Sequence, residues 1–413
     1  MRANDPFGVQ GEAVIAKSGI RDIFTPHTPI NSLELFLGRA AEVKGIIAQI
    51  NTPGQHSLLF GDRGVGKSSL ANIACELLLS ARVIRSKVFN CRCDSHSTFE
   101  HMIAAPLQHN GIDLRLSETA NEHNEGGGAS VGVDFGISVK AGVKSARKVT
   151  EKRGPIERPV SPAAAAHILS GTTGLLVIDE LDAIESAKER RKLAEFIKHL
   201  SDTNSKFKIL AVGIGATASD LIAGHQSVER CLKETKLNAL DRPELRDIVV
   251  KGAKKAGLLF ESSVIENIVS LSGGYPHFTH LLALKCAETA IVRSLRSISQ
   301  SVLDDALIEA ASEAVGSLRA TYDAATMSHN TTQYVEIMCA AAIIPDYEFT
   351  AEQLRRSYEQ KTGKPIKQAA LNNYFKRLVS DNGNSVLVRR AKGVYSFRDP
   401  RMRPFIRIKN RLL

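Results

Sequence analysis

The sequence predicts an α/β fold: a doubly wound parallel sheet, then a helical segment, then a small basic unit. Three observations carry this. Short apolar runs alternate with stretches of helical periodicity between Arg39 and Val212. After Arg230 the patterning becomes helical and strands are expected to stop. The end of the chain holds nearly all of the net charge.

Val43, Ile46, Ile47 and Ile50 fall at helical spacing from Arg39 to Ile50. Ser57 to Phe60 is a short apolar run, followed at once by a glycine-rich turn. Leu70, Ile73, Leu77 and Leu78 then mark a second helix, so the order is strand, glycine loop, helix. Val83 to Asn90 reads as a strand, Leu175 to Ile178 as a buried parallel strand, and Lys208 to Val212 as another. Arg190 to Leu200 is an amphipathic helix between the last two. Such alternation places ligands at the carboxyl ends of the strands.

Between residues 95 and 169 the pattern weakens, and this stretch is expected to be an insertion. Inside it Val131, Val133, Phe135, Ile137 and Val139 alternate as a half-buried strand does. A basic stretch from Lys140 to Arg153 follows, and Pro155, Pro159 and Pro162 mark a connector. The expected domains are a core over 1–240, a helical lid over 241–330 and a terminal unit over 331–413.

A chain of 413 residues suits two or three domains at ~150 residues each. With 43% hydrophobic and 24% charged residues it is neither a disordered tail nor a membrane protein. No apolar run approaches the ~18 residues of a membrane span. Met1 to Gln10 has no charged segment leading into an apolar one, so a cytoplasmic location without a leader is expected. The six cysteines are scattered. Cys91 and Cys93 form a pair without a second pair at zinc spacing, so reduced thiols are expected. The formal charge is +10, and Gln333 to Leu413 carries 16 basic and 7 acidic residues, leaving only +1 for the rest. A basic end on a balanced body suits a polyanion partner.

Gly61-Asp62-Arg63-Gly64-Val65-Gly66-Lys67-Ser68 fits the pattern G-x-x-x-x-G-K-[ST]. Its glycines let backbone N–H groups turn inward around phosphate oxygens, and the helix that follows adds partial positive charge. Lys67 suits the β- and γ-phosphates, the Ser68 hydroxyl suits Mg²⁺, and Ser69 extends the same turn. Leu175 to Ile178 delivers Asp179 and Glu180 to the edge of the sheet. Asp179 is placed to hold Mg²⁺ and Glu180 to polarise an attacking water.

The glycine loop, the apolar strand ending in Asp179-Glu180-Leu181-Asp182, the helical lid and the basic end together resemble AAA+ ATPases. Within these the chain is most similar to the origin-recognition/initiator-like group and bacterial relatives with winged-helix tails. The resemblance spans roughly Ile20 to Arg407. It implies ATP and Mg²⁺ as cofactors, ATP hydrolysis, and a homo-oligomer with nucleotide at the subunit interface. Phe36-Leu37-Gly38-Arg39 is similar to the family's box beside the adenine pocket, with Phe24, Pro26 and Ile30 as further lining candidates. His225 to Arg230 resembles the box whose arginine, here Arg230, reaches a neighbour's γ-phosphate. Thr217 stands where the family places a polar phosphate sensor, without the usual Asn. Gly273 to His277 resembles the lid segment that touches nucleotide, with His277 where many relatives carry Arg.

In the basic unit, Thr350-Ala351-Glu352-Gln353 is a capping box opening a helix to about Gln360, and a second helix follows from Ile366 to about Ser380. Val386 to Val388 and Val394 to Phe397 flank a turn at Lys392-Gly393. Helix, helix, hairpin resembles a winged-helix domain, with the second helix offered to a major groove. Lys367, Gln368, Asn372, Lys376, Arg377, Arg389, Arg390 and Lys392 are the expected contacts to double-stranded DNA. Relatives of this kind act as initiators, loaders or transposition regulators on DNA. Two other readings stay open: a signalling switch of the STAND type, and a protein remodeller using a Gly126–Lys140 arm.

Overall fold

The computed structural model describes residues 9–30, 33–34, 36–81, 87–116, 135–139, 160–214, 226–313, 316–328, 331–379 and 385–412. The chain divides into two compact units. Arg39–Gly61 and Lys67–Leu237 form a sheet unit; Met1–Gly38, Asp62–Gly66 and Asn238–Leu413 form a helical unit.

The strands of the sheet unit are β1 (His56–Gly61), β2 (Val88–Arg92), β3 (Ile112–Leu116), β4 (Phe135–Val139), β5 (Gly174–Asp179), β6 (Phe207–Gly213) and β7 (Leu232–Leu237). Five of them make a parallel sheet in the order β2-β5-β6-β1-β7. The central strands β5 and β6 are apolar along almost their whole length and buried, as a parallel sheet covered by helices requires. Phe99, Phe196 and Phe207 are fully buried in this core, and the first two rings meet edge to face at 5.5 Å.

Two expectations change here. Strands do not stop at Arg230, because β7 pairs along the whole of β1. Only Leu232 and Leu237 of β7 are buried, since an edge strand keeps polar side chains in water, and no apolar run announces it. Nor is 95–169 wholly peripheral. Helices Phe99–His109 and Pro162–Ser170 bury Phe99, Met102, Ile103, Ala165 and Leu169 in the core of the sheet unit. What lies between them includes the antiparallel β3–β4 pair, which takes in Phe135, Ile137 and Val139 of the alternating run. Val131, Val133 and the basic stretch 140–153 lie outside the described residues.

In the helical unit, Asp241 and Glu244 form a capping box that opens helix Arg242–Ala256, which ends at Gly257 in the left-handed conformation. Helix Ser262–Ser272 ends likewise at Gly273, and Pro276 starts helix Pro276–Val292 in its first turn. A short parallel pair, β8 (Leu259–Phe260) with β9 (Ser297–Ile298), is a further exception to the expected all-helical stretch. The N-terminal segment belongs here and not to the core over 1–240. Ile20, Ile23 and Phe24 are buried, and Gly252 makes room for the Phe24 ring, which a Cβ would meet at 2.3 Å.

After helix Gln333–Ile343 come β10 (Glu348–Thr350), helix Ala351–Thr362 with its Thr350/Gln353 capping box, helix Gln368–Leu378, β11 (Leu387–Ala391), β12 (Val394–Phe397) and helix Met402–Lys409. The three strands form an antiparallel sheet in the order β10-β12-β11. Helix Gln368–Leu378 packs on it through Phe375, whose ring lies 4.5 Å from that of Tyr395. Among the described residues no helix is long and apolar enough to cross a membrane.

Among the described residues, His56 in the sheet unit and His280 in the helical unit are buried. His56 Nδ1 accepts from the Ile209 N–H at 3.1 Å, and burial, with Lys208 nearby, pushes its pKa down to about 3. His280 Nδ1 accepts from the Thr25 N–H at 3.2 Å, and burial pushes its pKa down to about 4. In the unfolded chain both titrate near ~6.5, so below that pH the unfolded state binds more protons. Stability is therefore expected to fall as pH drops from about 6.5 towards 4, by about 2 kcal/mol per histidine at pH 5. Urea unfolding at pH 7 and pH 5 measures this; equal stabilities would refute it.

Candidate active site

The glycine loop leaves β1 and enters helix Lys67–Ser80. Gly64 and Gly66 have φ of 81° and 95°, a left-handed backbone that side chains disfavour. Val65 between them is buried and anchors the turn. Gly61 lies against β7, where a Cβ would meet the Leu237 carbonyl at 2.3 Å. The Lys67 ammonium donates to the Gly61 carbonyl at 3.0 Å, folding its side chain back over the loop. Asp62 and Arg63 are exposed, Ser69 half-buried.

Strand pairing brings the acids to this loop. The Ser68 hydroxyl donates to Asp179 Oδ2 at 2.7 Å, across 111 residues of sequence. The other Asp179 oxygen accepts from the Glu180 N–H at 2.8 Å. Glu180 has a left-handed backbone, φ 56°, which turns the chain sharply at the end of β5. Its carboxylate pairs with Arg92 at 2.5 Å. Sequence reasoning missed Arg92, because only the β2–β5 register, Arg92 opposite Asp179, brings it near.

A hydroxyl and a carboxylate in contact form an oxygen set suited to a hard divalent cation. Ser68 and Asp179 therefore fit Mg²⁺, and the loop amides fit phosphate.

The remaining candidates fall in several places. Gly38 and Arg39 are consecutive left-handed residues, with φ 73° and 62°, ahead of helix Ala40–Asn51. A Cβ on Gly38 would stand 2.2 Å from the Glu244 carboxylate. Arg39 is buried and pairs with Glu42 at 3.3 Å. Phe36 is half-buried, and Phe24 is wholly enclosed, so Phe24 packs the helical unit and does not line an open pocket. His277 Nδ1 donates to the Pro26 carbonyl at 2.7 Å, and burial lowers its pKa, so it is a neutral ring near pH 7. Arg230 is exposed at the turn before β7, over the buried Val228. Thr217 and His225 lie outside the described residues.

In the helical unit, the Arg401 stem covers Gly64, where a Cβ would stand 3.2 Å from it, with Tyr275 alongside. A two-point pair with Asp399, 2.7 Å and 3.0 Å, holds the Arg401 guanidinium. Among the basic candidates, Lys367, Lys376, Arg389, Arg390 and Lys392 are exposed. Gln368 donates to Asn372 at 2.9 Å on the exposed helix face. Arg377 departs from its expected role. It donates to the Ala324 and Met327 carbonyls and stacks 4.7 Å over the Tyr334 ring, closing the end of helix Gly316–Thr326.

A family model described as novel STAND NTPase 1 matches residues 29–344, more than half of the chain. The chain belongs to the novel STAND NTPase 1 family. Among solved structures it is similar to the Walker-type ATPase of Pyrococcus abyssi, with 18% identity, a TM-score of 0.51, and 92% of this chain and 99% of that one covered. It is also similar to the ORC2 protein of Aeropyrum pernix, solved in ADPNP–ADP complexes, with 14% identity, a TM-score of 0.50 and coverage of 95% and 97%. No curated protein matches in sequence. The fold is the P-loop NTPase fold of these structures, as the resemblance implied, and the family to which the chain belongs is one of NTPases.

Two variants test the site. Lys67→Ala is expected to weaken binding of a fluorescent ATP analogue at least ~tenfold. Glu180→Gln is expected to bind it normally yet turn over at least ~tenfold more slowly. Near wild-type phosphate release from the Glu180 variant would remove that residue from the chemistry.

Proposed function

We propose that this NTPase binds Mg²⁺·ATP at Gly61–Ser68, assembles through it, and couples hydrolysis to duplex DNA held by a C-terminal winged helix in the cytoplasm. Lys67 neutralises phosphate charge. Glu180 takes the proton of the attacking water, which requires it to leave Arg92. The exposed Arg230 of a neighbouring subunit supplies positive charge to the γ-phosphate. Mg²⁺ held by Ser68 and Asp179 would add Lewis-acid neutralisation of the phosphates. The observation that carries the DNA assignment is the exposed cation set Lys367, Lys376, Arg389, Arg390 and Lys392, on the segment that holds +9 of the chain's charge.

A second reading is favoured by the family match and by the Arg92–Glu180 pair. It is a STAND-type switch, a closed monomer with slow turnover that nucleotide exchange opens. The protein-remodelling reading rests on the Gly126–Lys140 arm, of which only Phe135–Val139 falls among the described residues.

DNA affinity is expected to fall steeply with salt. The log–log slope should shrink by about 1 for each of Arg389→Ala and Lys392→Ala. Arg377→Ala should instead lower thermal stability and leave the slope unchanged. Binding that ignores salt would exclude the DNA assignment. Mass measurement with ADP, with Mg²⁺·ATP, and with Mg²⁺·ATP plus duplex DNA separates the two readings. An oligomer that forms with ATP and grows on DNA supports the first, and a monomer retaining ADP supports the second.

A further inference from the structure

The chain has six cysteines, all present as free thiols. Four of them are buried and chemically muted. Burial pushes the Cys75 thiol up to about 12 and Cys339 to about 11, and raises Cys231 and Cys286 as well. A thiol kept protonated inside apolar packing is a poor nucleophile. Cys91 and Cys93 differ from these in geometry.

They flank Arg92 at the carboxyl end of β2, a strand at the edge of the five-stranded sheet. Residues two apart on an extended chain point to the same face. The two thiol side chains accordingly lie beside one another on that face, against the core of the sheet unit. Cys91 is half-buried, whereas Cys93 is 3% exposed. Cys91 is thus the more exposed of the two, and Cys93 lies in the core beside it. An attacking and a resolving thiol need that arrangement.

We propose that Cys91 and Cys93 are a peroxide-reactive dithiol that closes reversibly to a disulfide and displaces Arg92 from Glu180. The Cys91 sulfur attacks one peroxide oxygen, the O–O bond breaks, and the other oxygen leaves as water after protonation. The sulfenic acid on Cys91 is then displaced by the Cys93 sulfur, forming the S–S bond and releasing a second water. Two thiols lose two electrons and two protons, and one hydroperoxide is reduced to two waters. A dithiol reductant reverses the step.

Ring closure acts on the residue between. Two residues of extended strand span about 6.6 Å between Cα atoms, at the upper limit of what a disulfide accepts. Closure therefore shortens the segment and turns Arg92, whose guanidinium pairs with Glu180 at 2.5 Å. The Cys93 N–H also donates to the Asp179 carbonyl at 2.9 Å, so the same movement reaches the backbone beneath the Asp179 carboxylate. The chemistry of the thiols stands alone; its effect on turnover rests on the role proposed above for Glu180.

The test treats the full-length protein with hydrogen peroxide at low molar excess. The expected result is a mass loss of about 2 Da, mapped to the peptide holding Cys91 and Cys93 and reversed by dithiothreitol. The other four cysteines should still alkylate after unfolding. Cys93→Ala should stop at an added oxygen on Cys91, and Cys91→Ser should not react at this site. Uniform oxidation of all six thiols, or oxygen addition at Cys91 of the wild type without disulfide, would overturn the dithiol. ATP turnover is expected to change at least ~threefold in step with the disulfide, and not in Cys91→Ser. A disulfide that forms while turnover stays constant overturns the coupling to Glu180. A protein without ATP turnover in either state counts against the proposed hydrolysis, and the mass result still decides the dithiol.

Discussion

Ser68 meets Asp179 through a 2.7 Å hydrogen bond, and the candidate chemistry depends on that contact. It joins the first turn of a helix to the end of a buried strand far along the chain. The contact exists because β1 and β5 both flank β6 in one parallel sheet, so their carboxyl ends open on the same side. A charged group at the end of an apolar strand is desolvated on its strand side, and it is stabilised only by partners positioned there. The Ser68 hydroxyl and the Glu180 N–H are those partners.

The same constraint explains where strain collects. Gly64 and Gly66 of the loop and Glu180 of the sheet unit all hold left-handed backbone. Glycine accepts that conformation at little cost. Glutamate does not, and its left-handed turn is sustained by β5 on one side and the Leu181–Ala183 turn on the other. The Arg92 pair then fixes the direction of the carboxylate. With Arg92 exposed and Glu180 half-exposed, the two make an ion pair of modest strength, so it orients the side chain more than it stabilises the fold.

Much of this was readable from residue order, because local rules generate it. The loop Gly61–Ser68, the run Leu175–Ile178, the capping boxes at Asp241 and Thr350, and the breaks at Gly257 and Gly273 each rest on a few neighbouring residues. β7 was not readable, because its identity comes from pairing with β1 and not from its own polar middle. Arg377 looked like one more cation on an amphipathic helix, yet carbonyls more than 40 residues earlier occupy it. Phe24 looked like a pocket residue, yet Gly252 and His280 enclose it.

By itself the sequence determined the phosphate loop, the acidic strand end and the concentration of positive charge in the last segment, since spacing, periodicity and composition are properties of the chain alone. Tertiary structure decided which residues face those groups: Arg92 against Glu180, Arg401 over Gly64, and the N-terminal helices within the helical unit. Contacts across tens or hundreds of residues come from sheet order and side-chain packing, and neither leaves a periodic mark on the residues it joins.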